Sequence, residues 1–159
     1  MKHPGKPIYI YLCGPITGMN AESAGRWRKE VAKELYPLKT IDPTRQAPDF
    51  VIRSAEKATE ADLVRRRAHG KSTTTRDRLD VGRADLILAN LTGAKAVSIG
   101  SVGELFWADM QRKPIIIVRE AHGNPHDHDM INEIAGWIVP DVGEALNLIK
   151  SLFPDSFES

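Results

Sequence analysis

The feature that most constrains the fold is a series of short, unbroken apolar runs separated by segments of helical spacing. Ile8-Tyr9-Ile10-Tyr11-Leu12-Cys13, bounded by Pro7 and Gly14, is β-prone without apolar/polar alternation, as expected of a strand buried on both faces. Leu38 to Ile41, closed by Asp42-Pro43, reads as a short second strand. Asp85 to Leu91, Pro114 to Val118 and Trp137 to Val139 read as the third, fourth and fifth. Between them lie helical patterns. Ala24, Trp27, Val31 and Leu35 share one face of a helix capped by Asn20 and ended by Pro37. Thr74 to about Ala84 forms another, and Met130 to Ala135 a short one. Asp141 caps a last helix with the stripe Val142, Ala145, Leu146, Ile149 and Leu152. Strands alternating with helices imply a parallel sheet covered on both faces.

A chain of 159 residues with 42% hydrophobic composition fits one domain, spanning 1–159. Its 22 basic and 21 acidic residues nearly cancel, which argues against a general nucleic-acid or anionic-membrane surface. Cys13 is the one cysteine, so no internal disulfide forms. The six apolar residues after Pro7 are too few for a signal-peptide core or a membrane span, so a soluble cytoplasmic protein is expected. In residues 43–73 Pro43 and Pro48 break the start, the stretch from Ser54 to Ala68 has helical composition but weak apolar content, and the Arg65-Arg66-Arg67 run reads either as a solvated face or as part of a substrate-covering insertion.

In parallel sheets ligands sit beyond the carboxyl ends of the strands. Gly14, Asn90, Ser98 and Glu104 fall in or beside those turns. Neither Gly14-Pro15-Ile16-Thr17-Gly18 nor Gly100-Ser101-Val102-Gly103 is a P-loop or dinucleotide fingerprint, although glycines such as Gly100 at a helix start suit an anion. The helix carrying Glu104 is expected to begin at Ser101 and to bury Val102, Leu105, Phe106 and Met110, leaving Glu104 off that stripe. Two readings of Glu104 stay open. Ser101-Val102-Gly103-Glu104 matches a capping box, as Thr74-Thr75-Arg76-Asp77 does. Alternatively, the two acids divide the cleavage of a glycosidic bond, one attacking the anomeric carbon and the other protonating the leaving group. The helix dipole would keep Glu104 ionised, Asp77 would need a raised pKa or a shared proton, and Asp80 is its rival. His122, His126, Asp127, His128 and Asp129 crowd one loop without a second ligand cluster, so loop or substrate contact is expected there and no metal or cofactor. Trp27, Trp107 and Trp137 read as core or interface residues.

Tyr11-Leu12-Cys13-Gly14-Pro15-Ile16-Thr17-Gly18, then Arg76-Asp77 eight residues before Asp85-Leu86, then Ser98 six residues before Glu104-Leu105, resembles the nucleoside 2-deoxyribosyltransferase superfamily, which includes the 2'-deoxynucleoside 5'-phosphate N-hydrolases. The likeness runs from Ile8 to about Ile149. It implies a flavodoxin-like (Rossmann-like) five-stranded parallel sheet with helices on both faces. It also implies a retaining double displacement: Glu104 attacks C1' of a deoxyribose, Asp77 rather than Asp80 is the acid and base, and Tyr11 orients the nucleophile. Gly14, Thr17, Gly18, Ser98, Gly100 and His128 are then expected at the sugar and phosphate end, with Asn90 and Asp42 as further substrate contacts. Ser98 stands where the base-exchanging transferases carry an acid and the monophosphate hydrolases a serine, which favours a phosphate. Pro15-Ile16-Thr17 departs from the serine and arginine of those hydrolases. His128 matches a position that serves a neighbouring subunit's site, implying a homo-oligomer with shared active sites. The substrate is a nucleoside or nucleotide, and the sugar passes to another base or to water. A nucleotide-binding sensor without turnover and a nicotinamide-nucleotide glycohydrolase are the alternatives.

Overall fold

The computed structural model describes residues 5–16, 21–45 and 58–158. In chain order it contains β1 (Tyr9–Cys13), α1 (Ala21–Glu34), β2 (Lys39–Ile41), α2 (Glu60–Arg83), β3 (Leu86–Asn90) and α3 (Ile99–Met110). These are followed by β4 (Ile115–Val118), α4 (Asp129–Ile134), β5 (Trp137–Val139), α5 (Val142–Leu152) and a 3-10 turn at Pro154–Ser156. The five strands form one sheet in the order β2-β1-β3-β4-β5, all neighbours parallel. That is the expected flavodoxin-like arrangement, whose order reverses between β1 and β3. A crevice therefore opens beyond Cys13 and Asn90, where the neighbouring strand connections leave in opposite directions.

Alternate residues of the central strands feed two cores. Tyr11, Cys13, Ile87, Ala89, Ile115 and Ile117 pack with α2, α3 and α4 through Val81, Leu105, Ala108 and Ile131. Ile10, Leu12, Leu86, Leu88, Ile116 and Val118 pack with α1 and α5 through Val31, Ala145 and Ile149, and with Leu35 just past the end of α1. Because both faces are covered, the strands carry apolar residues at every position rather than every second one. Asp141 caps α5 as its spacing predicts, its carboxylate accepting from the Glu144 amide at 2.9 Å.

Two helices differ from expectation, and both differences bear on the site. Helix α2 begins at Glu60, not Thr74, so residues 60–73 of the supposed insertion are its first half, and Thr74 to Asp77 is helix interior rather than a cap. The capping box is Thr59 with Asp62, each side chain bonding the other's backbone amide, at 3.1 and 3.0 Å. Few apolar residues mark this helix: Val81 is buried, but so are Asp62, Asp77 and Asp80. Helix α3 starts at Ile99, with Ser98 as N-cap, and its buried stripe is Ser101, Glu104, Leu105 and Ala108. Met110 is 82% exposed, and Val102 and Phe106 are only partly covered. The apolar pattern thus misplaced the inner face by part of a turn. Glu104 lies on the buried stripe in the second turn, and the Ser101-to-Glu104 capping box does not form. Among the described residues no helix is long and apolar enough to cross a membrane. The expected Asn20 cap lies outside the described residues.

Candidate active site

Beyond the carboxyl ends of β1 and β3 lies a cavity of about 1020 Å³. Gly14 lies at its edge, α2 contributes Thr73, Arg76 and Asp77, and the β3–α3 loop contributes Thr92, Gly93 and Lys95 to Ser98. Gly100, Ser101, Glu104 and Trp107 enter from α3. Gly14 has a steric reason to be glycine, because a Cβ there would stand 2.8 Å from the Asn90 carbonyl oxygen and 3.3 Å from the Trp27 ring. The two strand ends that frame the crevice therefore touch.

Glu104 is 8% exposed, and burial pushes its carboxyl up to about 7. The Asp77 charge adds to that shift, while Cys13, Tyr11 and Arg28 oppose it. Desolvation outweighs any help from the helix dipole, which fades beyond the first turn, so the expectation of a plainly ionised Glu104 is corrected to a carboxyl poised near neutrality. Tyr11 beside it is fully buried, and among the described residues its hydroxyl makes no hydrogen bond of good geometry, the Glu104 carboxyl being the acceptor close enough to couple to it. Burial, then the charges of Glu104 and Asp77, drive that phenol far above its ordinary range. A buried orphan hydroxyl costs stability unless a partner arrives. Here it stands ready to donate to Glu104 or to a ligand group.

Asp77 is also raised by burial, against the pull of Arg76, whose Nε and Nη2 donate to its Oδ1 at 3.2 and 3.0 Å. The same Nη2 donates to the Pro43 carbonyl at 2.9 Å, which ties α2 to the turn after β2. Asp80, one turn on, is paired with Arg45 and lies 3.9 Å from Arg83, beside a separate depression. The geometry thus brings Asp77, and not Asp80, to the cavity that Glu104 lines.

At the other end of the cavity the Ser98 Oγ accepts from the Ser101 amide at 3.3 Å and shares a hydrogen bond with the Ser101 hydroxyl at 2.9 Å. One of the two hydroxyl protons is therefore left for a ligand. The Ile99 and Gly100 amides, in the first turn of α3, have no acceptor within the helix. Anions are favoured at such a place.

The remaining expected residues are dispersed. Asn90 ends β3, its Oδ1 accepting from the Thr92 amide at 3.2 Å. Asp42 bonds the Thr44 amide and hydroxyl and lies 3.6 Å from Arg28 Nε, outside the cavity lining. His128 is exposed and caps α4, accepting from the Met130 amide. Thr17 and Gly18 lie outside the described residues. Among the described residues no group of three His, Cys, Asp or Glu side chains is placed to hold a metal ion.

Sequence reasoning missed Arg28, and it read His126 only as one of a loop's histidines, without its partner. Arg28, almost wholly buried, stacks on Trp27 at 4.6 Å and donates to the carbonyls of Leu12, Ala24 and Gly14, fixing the end of β1. The available signal was a cation on the apolar stripe formed by Ala24, Val31 and Leu35. His126, fully buried, accepts the Ser98 amide at 2.8 Å. No local pattern reveals that contact.

The model of a family described as nucleoside 2-deoxyribosyltransferase matches residues 10–149. Among solved structures, a 2-deoxyribosyltransferase from Bacillus psychrosaccharolyticus is similar over 87% of this chain and 90% of its own, at 16% identity and a TM-score of 0.61. A CMP N-glycosidase from Clostridium botulinum is similar over 89% of this chain and 98% of its own, at 15% identity and a TM-score of 0.52. A molybdenum cofactor binding protein from Rippkaea orientalis is similar over 93% and 98%, at 16% identity and a TM-score of 0.53. No curated protein matches the sequence significantly. At such identities these structures speak for a shared fold.

Proposed function

The chain belongs to the nucleoside 2-deoxyribosyltransferase family, and on that footing we propose that it cleaves the N-glycosidic bond of 2'-deoxyribonucleoside 5'-monophosphates or of the corresponding nucleosides. The observation that carries the reading is the pair of buried carboxyls, Glu104 and Asp77, on one cavity, both with raised proton affinity. Two coupled acids titrate as a pair, so between their two proton losses the site holds one proton. In the reactive arrangement Asp77 carries it and Glu104 is the carboxylate. A Glu104 oxygen attacks C1', and the C1'–N bond breaks with its electron pair going to the base. Asp77 delivers the proton to that base. The sugar is then an ester of Glu104. Asp77, now ionised, takes a proton from an incoming water or acceptor base, which attacks C1' and frees the glutamate. The Tyr11 hydroxyl orients the nucleophile by donating to it.

Ser98 and the first amides of α3 suit a 5'-phosphate, which a carboxylate at the same position would repel. This favours monophosphates over nucleosides, and water or a second base as acceptor follows from how dry the occupied cavity is. On the same reading the chain acts as a homo-oligomer in which exposed His128 reaches the active site of a neighbouring copy. Exposed Ile99, Met110 and Met130 provide apolar surface for that assembly.

Incubating the protein with each deoxynucleoside and its 5'-monophosphate, with and without a free acceptor base, tests the proposal. Base release or exchange is expected, fastest with a monophosphate. Saturable nucleotide binding without either reaction overturns the catalytic reading and leaves a sensor.

A further inference from the structure

The β3–α3 loop forms one wall of the cavity, and both of its ends are held by the loop that follows β4. Near its start, the Gly93 amide donates to Glu120 Oε1 at 2.6 Å. The Leu91 carbonyl accepts from Asn124 Nδ2 at 2.8 Å, and that same amide group reaches Glu120 Oε2 at 2.7 Å. At its far end, the Ser98 amide donates to His126 Nε2 at 2.8 Å. For Nε2 to accept, the imidazole must be neutral with its proton on Nδ1, and Asn124 Oδ1 lies 3.1 Å from Nδ1 to receive it. That oxygen also accepts the His126 backbone amide at 2.9 Å. Asn124 and His126 are both buried. The donors and acceptors around them are matched one to one, as a buried polar network requires.

We infer that Glu120, Asn124 and His126 form a clamp on the β3–α3 loop, with His126 the positioning residue that sets where Ser98 and the first turn of α3 meet the 5' end of the substrate. The inference rests on the proposed activity for its substrate and goes beyond it in assigning the residues that hold the binding wall. His126 turns the Ser98 amide away from the ligand. It thereby fixes the backbone angle at the N-cap from which the Ser98 hydroxyl and the Ile99 and Gly100 amides project. An apolar side chain of similar volume would fill the space yet leave the partly buried Ser98 amide without its acceptor, and the loop end would shift to find one. Glutamine places an amide oxygen near the position of Nε2 and keeps that bond.

The test compares His126→Phe and His126→Gln with wild type by two readouts. Amide hydrogen exchange at Ser98, followed by NMR, is expected to speed up at least tenfold in H126F and to stay within threefold of wild type in H126Q. In steady-state kinetics with deoxynucleoside 5'-monophosphates, H126F is expected to raise KM tenfold or more while kcat changes less than threefold, and H126Q to restore KM. Unchanged Ser98 exchange in H126F, a H126Q variant as impaired as H126F, or a fall in kcat at constant KM overturns the clamp. If wild type releases no base, the proposed activity fails. The clamp is then still decided by Ser98 exchange and by calorimetric affinity for the same monophosphates, which H126F must weaken tenfold. If H126F does not fold, Glu120→Ala at the partly exposed end serves instead. It should speed Gly93 exchange and raise KM severalfold, and unchanged values refute the inference.

Discussion

Replacing Glu104 by glutamine removes a charge that the fold does not welcome, so the variant should be more stable than the parent at alkaline pH while losing the chemistry. The Glu104 carboxyl is 8% exposed and keeps its proton to about pH 7, against an ordinary value of 4.5. At ~1.4 kcal/mol per pH unit, ionising it in the folded protein costs about 3 kcal/mol relative to the unfolded chain. The sign follows from proton binding. Between pH 4.5 and 7 the folded state holds more protons at this site than the unfolded state does, so stability falls as pH rises across that window. Below it the penalty is absent, and above it the penalty is complete. Glu104→Gln keeps the shape and abolishes the titration. Urea unfolding of both proteins at pH 5 and pH 8 should give a gain for the variant of about 0.8 kcal/mol at pH 5 and about 3 kcal/mol at pH 8. A difference that does not grow with pH, or a variant less stable than wild type at pH 8, would refute the claim that burial of Glu104 is what raises its pKa.

Other consequences follow from the same residues. With a single shared proton as the working state, kcat/KM should fall as pH rises through about 7, where the Glu104–Asp77 pair loses its last proton. Asp77→Asn should lower kcat by about a hundredfold or more and reverse that limb, residual activity now rising with pH as Glu104 ionises; a pH–rate profile of unchanged shape contradicts the pairing. Ser98→Asp keeps a good N-cap, so thermal stability should hold while KM for 5'-monophosphates rises more than tenfold and KM for nucleosides moves less than threefold. Gly14→Ala forces a Cβ to 2.8 Å from the Asn90 carbonyl oxygen, and denaturant titration should show a loss of about 1–3 kcal/mol.

The strands were legible because parallel strands buried on both faces leave short, uninterrupted apolar runs. Ile8 to Cys13, Asp85 to Leu91 and Pro114 to Val118 each contain the observed strand to within one residue at either end. Helices α1 and α5 were legible because their inner faces are apolar. Helix α2 showed only as helical composition without an apolar stripe, since over residues 60–73 it buries Asp62 and little else, and its start is marked by the Thr59–Asp62 capping box rather than by apolar periodicity. In α3 the inner face is the site itself. Ser101 and Glu104 sit on the buried stripe, so the apolar pattern pointed to residues such as Met110 on the outside. A polar pair on an inner helical face is thus a signature of function that periodicity reads as surface. The prominence of Glu104, Asp77, Ser98 and Gly14 came from motif spacing and from the strand-end rule. Arg28 and His126 act through contacts 14 to 28 residues away in sequence, at the Gly14 carbonyl and the Ser98 amide, and no local pattern encodes such partners.

The central claim is that Glu104 forms a bond to the sugar. Incubation with each deoxynucleoside 5'-monophosphate, rapid acid quench and peptide mass mapping test it directly. The account predicts a phosphodeoxyribosyl ester on the peptide containing Glu104, formed in step with release of the first equivalent of base and absent in Glu104→Gln. Base release with no adduct on that peptide, or an adduct that persists in Glu104→Gln, would contradict it.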